Sequence, residues 1–360
     1  MSYKEHIFFS NKQTIKKFKI TYFFLIFFGI NQILFSRSIM VKNGFQVFRN
    51  AGDGRSIALG NALTSSGEEL SAIIWNPAIL SLNPKKPITY VFQNRFSGNI
   101  KSGMLAFPYN GKYSRPFGIV LIHESVNGIQ DTRNALMDEN GDGIFNGNDR
   151  LDAELINEFS QNQWAAYVSK TWLIKNLIVG IGIKGIFHQI GDHFGNGIGF
   201  DLGFHRYFWD EIRFGIVLKD ITTTWLFWDN GTKEFTPPRI SSGISGINSI
   251  PLLPIKMNWM IDLNLNLEGR SLQEDFYFGK MSGKISFGTE WILKDNIRLR
   301  FGENEIGIMA AGIGLGWTFI KINYAIQIES DQHSLGNSHI VSLSFDPEYF
   351  KNVISRKITN

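Results

Sequence analysis

The 360-residue chain contains no cysteine. That excludes a disulfide scaffold, Cys-ligated zinc or iron–sulfur centres, and thiol catalysis. Charge is sparse too, at 19% of residues, yet mean hydropathy is slightly negative, which excludes a bundle of membrane helices. The longest apolar run, Ile20–Ile30 (ITYFFLIFFGI), falls short of the ~20 residues a spanning helix needs. A basic surface is also missing from the body of the chain. Residues 1–38 hold a net charge of +5, so the whole-chain +4 leaves the remainder at −1. A nucleic-acid partner is therefore not expected. There is no nucleophile motif and no phosphate-binding loop, and His188, His193 and His205 share no ligand spacing. Gly180-x-Gly182-x-x-Gly185 matches a dinucleotide fingerprint by letter, but it lies inside an alternating strand with no helix after it. No enzyme is expected.

What is abundant is aromatic residues and glycine: 31 Phe, 10 Tyr, 9 Trp and 36 Gly. That composition argues against disorder. Lys12 to Lys19 form a basic n-region, Ile20–Ile30 an h-region, and Ser36-Arg37-Ser38 places small residues at the −3 and −1 positions of a cleavage site. Residues 1–38 are thus expected to be an export signal peptide.

From Ile88 onward, period-two alternation recurs with turn chemistry between segments. In Asn258 to Glu268, Trp259, Ile261, Leu263, Leu265 and Leu267 oppose Asn258, Asp262, Asn264, Asn266 and Glu268. Ile320 to Glu329 repeats the design, and Gly312, Gly314 and Gly316 oppose Ile313, Leu315 and Trp317. The apolar face is large and aromatic on strand after strand, and no amphipathic helix follows to cover it. Fourteen strands are predicted: 88–97, 102–108, 117–126, 162–172, 177–190, 197–208, 212–223, 240–248, 254–268, 283–293, 296–303, 309–319, 320–329 and 338–346. An even set of amphipathic strands predicts an all-β, antiparallel transmembrane β-barrel over 88–346, since closure removes the edges that lipid would not tolerate. The expected location is the bacterial outer membrane, with outer-membrane lipid as one partner.

Connections support the same topology. Every second one is short (173–176, 209–211, 294–295), while the intervening 127–161, 224–239, 269–282 and 330–337 are longer. Short turns are expected on the periplasmic side. Trp172, Trp209, Trp291 and Trp317 stand at or just before short turns, where an interfacial girdle is expected. Lumen-facing Lys321, Arg298, Arg300, Asp262, Glu268 and Glu290 mix both charge signs, which fits a packed lumen. Trp225, Leu226, Phe227 and Trp228 in the loop 224–235 are read either as a docking surface or as an outer aromatic girdle.

Two segments carry a family resemblance. Gly54-Arg55-Ser56-Ile57-Ala58-Leu59-Gly60-Asn61-Ala62 precedes Trp75-Asn76-Pro77-Ala78-Ile79-Leu80, and Leu335 to Phe345 closes the last strand. These resemble FadL-type barrels, and more closely the PorV/PorQ family. The resemblance implies that residues 39–87 form a plug inside the lumen, with Trp75, Asn76, Pro77 and Ala78 as its gating motif, and that 347–360 are a tail. A PorV/PorQ-like role implies service to type IX secretion, with secreted proteins bearing C-terminal sorting domains and other secretion components as partners. The alternative is a FadL-like channel for uptake of hydrophobic small molecules.

One local motif stands apart. Asp138, Asn140, Asp142, Ile144 (through its carbonyl), Asn146 and Asp149 match D-x-N-x-D-G-x-x-N-x-x-D. Oxygen ligands at that spacing, with Gly143 at the sharp bend, can surround a hard cation. The loop resembles that of dockerin-type EF-hands, and one structural Ca²⁺ is expected there in an outer loop.

Overall fold

A computed structural model of the chain describes residues 40–42, 47–82, 87–109, 116–139, 141, 143–147, 149–208, 211–250, 254–267, 275–278, 281–328, 336–347 and 349. The export-signal segment 1–38 lies outside them.

The body is a closed antiparallel barrel of fourteen strands: β1 (Ile88–Arg95), β2 (Ile100–Tyr109), β3 (Phe117–Asp131), β4 (Asn157–Ile174), β5 (Leu177–Ile190), β6 (His193–Tyr207), β7 (Ile212–Lys219), β8 (Arg239–Ser249), β9 (Ile255–Asn266), β10 (Met281–Leu293), β11 (Ile297–Glu303), β12 (Met309–Gly316), β13 (Ile320–Ile328) and β14 (Ser338–Phe345). Each strand pairs with the next, and β14 returns to β1 with Ile88 opposite Phe345 and Asn94 opposite His339. Every backbone donor and acceptor along a spanning strand therefore has a neighbour, as lipid requires.

Alternation divides the side chains between lipid and lumen. In β1, Tyr90 and Phe92 are 53% and 44% exposed, whereas Thr89, Val91 and Gln93 are buried. In β9, Ile261 is exposed and Asp262 buried; in β13, Ile322 and Tyr324 are exposed and Asn323 buried. The exposed apolar side chains face outward all round the barrel. This is the reverse of a soluble protein, and it follows from having hydrocarbon as the outer solvent.

All fourteen predicted segments overlap an observed strand, with ends shifted by up to five residues. The largest differences lie on the long-loop side. There β3 and β4 extend beyond the predicted ends, past a register shift between Val126 and Ile129, and the loop shrinks to 132–156. Gly128 has a φ of +71 at this bulge, which lets the ladder resume. The connection between β5 and β6 is a two-residue turn at Gly191, so loop length alternates less strictly than the sequence implies.

Residues 224–236 are not a free loop. Thr224–Trp228 pairs with Gly195–Ile198 of β6 and with Lys233–Thr236, forming a hairpin that extends the sheet. Leu226 is buried and only Phe227 of the four predicted apolar side chains is strongly exposed. Strand pairing turns Leu226 inward and gathers Trp225, Phe227 and Phe235 on the opposite face, with ring centroids 6.3 and 5.8 Å apart.

Candidate functional site

The lumen is filled by the segment 47–82. Its helices are short: α1 (Val47–Asn50), α2 (Gly54–Ala58), and two 3₁₀ turns, Leu70–Ile74 and Pro77–Ser81. None is long enough to hold itself together in water. Caps and the barrel wall do so instead. The Asp53 carboxylate accepts the Ser56 N–H at 2.8 Å and the Ser71 hydroxyl, joining α2 to the first 3₁₀ turn. Asn76 caps the second turn by accepting the Ala78 N–H at 3.0 Å, with Pro77 at the first position where its missing N–H costs nothing. The same Asn76 amide donates to Thr64 O at 2.7 Å and to Phe204 O on β6 at 3.1 Å. The predicted gating motif Trp75-Asn76-Pro77-Ala78 is thus fully buried, and Asn76 bonds both plug and wall.

A buried ion cluster fixes the other side. Glu290 of β10 accepts both Nε and Nη2 of plug Arg55 at 3.1 Å, Arg300 Nε at 2.7 Å and Asn258 Nδ2 at 2.7 Å. Arg55 and Glu290 are 2% and 0% exposed at their side chains. Burial alone would lower the basicity of Arg55, but Glu290 and Glu68 raise it above the ordinary value, so it stays charged. Smaller ties complete the ring: Gly54 N to Ser342 Oγ, Gln93 Nε2 to Gly52 O, Thr64 N to Asp262 Oδ2 at 2.8 Å, and His205 Nε2 to Ser65 O at 3.0 Å.

Glycines on the inner wall let the plug backbone approach this closely. A Cβ on Gly203 would lie 2.0 Å from Asn76 Oδ1, and one on Gly180 would lie 2.3 Å from Ala78 N. On the opposite wall, Gly288, Gly302 and Gly312 face Leu59, Gly60 and Ala58 in the same way. The letter match to a dinucleotide fingerprint dissolves here: Gly180 and Gly182 face the lumen for packing reasons, and Gly185 has open space.

At the loop end, between plug and wall, remains a cavity of about 170 Å³. Trp75, Lys219, Arg239, Asp262 and Glu305 are among the residues that line it. Glu305, in the turn after β11, accepts Arg239 Nη1 at 2.7 and 2.9 Å. Burial would raise its pKa, but Arg239 and then Arg49 outweigh that and hold it down at about 2.

Other predicted residues lie away from the plug. Trp172 and Trp317 are exposed and Trp291 points outward, all at the short-turn end; Trp209 lies outside the described residues. In the 132–156 loop, Asp138 accepts the N–H groups of Gly141 and Gly143, both at 2.6 Å. Asp149 accepts those of Glu139 and Asn146, both at 2.9 Å, and Asn146 Nδ2 donates to Ile144 O at 3.0 Å. Asn140 and Asp142 lie outside the described residues, among which no group of three or more acidic or histidine side chains gathers as a metal site. The Arg55–Glu290–Arg300 cluster was not singled out from sequence. Its signal is a run of inward-facing charges of both signs on β10 and β11.

The Pseudomonas putida toluene transporter TodX superposes with a TM-score of 0.53 at 13% identity, covering 82% of this chain and 98% of that one. This chain has the same closed β-barrel fold. A TodX deletion mutant described as a monoaromatic hydrocarbon channel gives 0.50 at 13% identity, over 82% and 99% of the two chains. The Ralstonia pickettii toluene transporter TbuX gives 0.46 at 12% identity, over 82% and 98%. No family profile and no curated protein matches the chain by sequence. Likeness at this identity shows the barrel fold alone.

Proposed function

We propose that the chain is an outer-membrane channel for small hydrophobic molecules, not an enzyme, and that its plug is the gate. The observation that carries this is the seated plug: a separate segment, 47–82, fills the lumen and is held by side-chain bonds that can break, with no covalent tie across to the wall. Similarity to barrels described as toluene transporters supports a solute of that class. Outward apolar side chains meet membrane lipid, with Trp172, Trp291 and Trp317 at its short-turn boundary.

A second function, PorV/PorQ-like service to type IX secretion, is favoured by the motifs at 54–62 and 75–80 and by the seating of 47–82 in the lumen. A barrel that only holds secreted proteins or other secretion components at its rim needs no open path. One experiment separates the two. Deleting the gene should lower uptake of ring-labelled toluene by intact cells, restored by the wild-type copy, while proteins with sorting domains still reach the surface. Unchanged uptake with those proteins stranded in the periplasm would reverse the assignment.

We also propose a structural Ca²⁺ for the 138–149 loop. The reading rests on the spacing of the loop's oxygen-bearing residues and on the turns that the Asp138 and Asp149 carboxylates cap.

A further inference from the structure

We infer that the cavity above the plug is a binding site for a small carboxylate with an apolar body, anchored by Lys219. The inference rests on the channel assignment, whose solute class it narrows. Four cationic side chains line the cavity: Arg49, Arg95, Lys219 and Arg239. Three have carboxylates: Arg239 and Arg49 face Glu305, at 2.7 and 3.9 Å, and Arg95 faces Glu124 at 2.8 Å. Lys219 makes no ion pair or hydrogen bond among the described residues, although it is only 6% exposed. Its Nζ sits 4.7 Å from the centroid of the Trp75 ring, a cation–π contact that offsets part of the lost hydration.

No nearby carboxylate reaches Lys219. Asp262 turns Oδ2 to the Thr64 N–H, while Oδ1, which has no hydrogen-bond partner among the described residues, lies against the wall at Gly243. Asp201 and Asp220, behind β7, are both held by Lys184, at 2.8 and 2.7 Å. Lys219 is therefore a buried amine without a carboxylate partner, and an entering anion would hold it as the ammonium. A single carboxylate fits better than a phosphate, because Asp262 and Glu305 share the cavity and oppose a second negative charge.

The apolar part of the lining sets the rest of the ligand. Ile57, Trp75, Phe96, Ile306 and Ile308 face the same space. Its volume of about 170 Å³ is close to that of a ~150 Å³ cavity that accepts benzene. One aromatic ring or a short branched chain fits; a long acyl chain does not.

Equilibrium dialysis of the full-length, detergent-solubilised protein against labelled benzoate at pH 7 tests this, with benzamide as the uncharged isostere and toluene as the bare ring. Saturable benzoate binding is expected, at least about tenfold tighter than benzamide, the worth of one charge-assisted contact. Lys219→Met should erase that preference and Lys219→Arg should keep most of it, each checked for folding by heat-dependent gel migration. No saturable benzoate binding, or benzamide binding equally well, overturns the inference even if the Met variant does not fold. Toluene uptake by cells without benzoate binding would leave the channel assignment standing and remove this one. Benzoate binding without toluene uptake would do the reverse.

Discussion

Replacing Glu290 by glutamine should release the plug. Four donors converge on this carboxylate, from Arg55, Arg300 and Asn258, in a site from which water is excluded. The substitution keeps the shape but removes the negative charge that both guanidinium groups bond. Breaking a buried ion pair by removing one partner costs about 3–5 kcal/mol, because the other charge stays buried. Arg300 is fixed on β11 and retains Asn323 as an acceptor at 3.0 Å, so relief comes by moving Arg55. The equilibrium between seated and unseated plug should shift by roughly 10²–10⁴. Arg55→Met should cost less, because the buried guanidinium leaves with its bonds and Glu290 keeps Arg300 as its counter-charge. Two assays read this: conductance in planar bilayers, and protease cleavage within 47–82. Glu290→Gln should show frequent openings and rapid cleavage while the barrel keeps its heat-dependent gel migration, with Arg55→Met intermediate. A Glu290→Gln protein as silent and protected as the wild type would refute the latch.

Other expectations follow from the same geometry. Gly203→Ala should weaken plug seating by about 1–3 kcal/mol, the usual cost of overpacking, because its Cβ would meet Asn76 Oδ1; unchanged protease protection would show that β6 can yield. Glu305, with its pKa held near 2 against 4.5 for the free group, stabilises the folded state above about pH 4.5. That contribution should fade as pH falls toward 2, lowering the melting temperature, and Glu305→Gln should be weaker at pH 7 and flat across the same window. A wild type as flat as the variant would contradict the ion pair with Arg239. Chelation should speed nicking within 132–156 while the barrel stays folded, and Asp149→Ala should mimic it; equal resistance with and without calcium would leave the motif a turn.

The barrel was legible in sequence because lipid imposes a period-two pattern on every spanning strand. Ile261 and Asp262, or Ile322 and Asn323, could be assigned to opposite faces from spacing alone, and the structure places them so. Strand ends were less legible. Nothing in the letters of Val126 to Gln161 marks where pairing stops, and the bulge at Gly128 lets it continue. The plug segment showed itself through its turn residues, but its seat did not. Glu290 and Arg300 look like any inner-wall charges until Arg55, 235 residues from Glu290 in sequence, arrives between them. The alternating glycines of β12 likewise had no visible reason; Gly312 is required by Ala58, which comes from the plug. Hairpin 224–236 was misread because its aromatics pattern equally well for an exposed loop and for a strand pairing with β6.

The measurement that tests the gate most directly is toluene uptake with the plug locked to the wall. The chain has no cysteine, and a Cβ on Gly54 would lie 3.1 Å from that of Asn323 and 2.9 Å from its carbonyl oxygen, so plug and wall need to part by about 0.5 Å to reach the ~3.5–4.5 Å of a disulfide. Cells carrying Gly54→Cys with Asn323→Cys should take up labelled toluene when reduced, lose that uptake on oxidation, and regain it with dithiothreitol. Uptake that is the same in both states, with the cross-link shown by gel shift to have formed, would contradict the account.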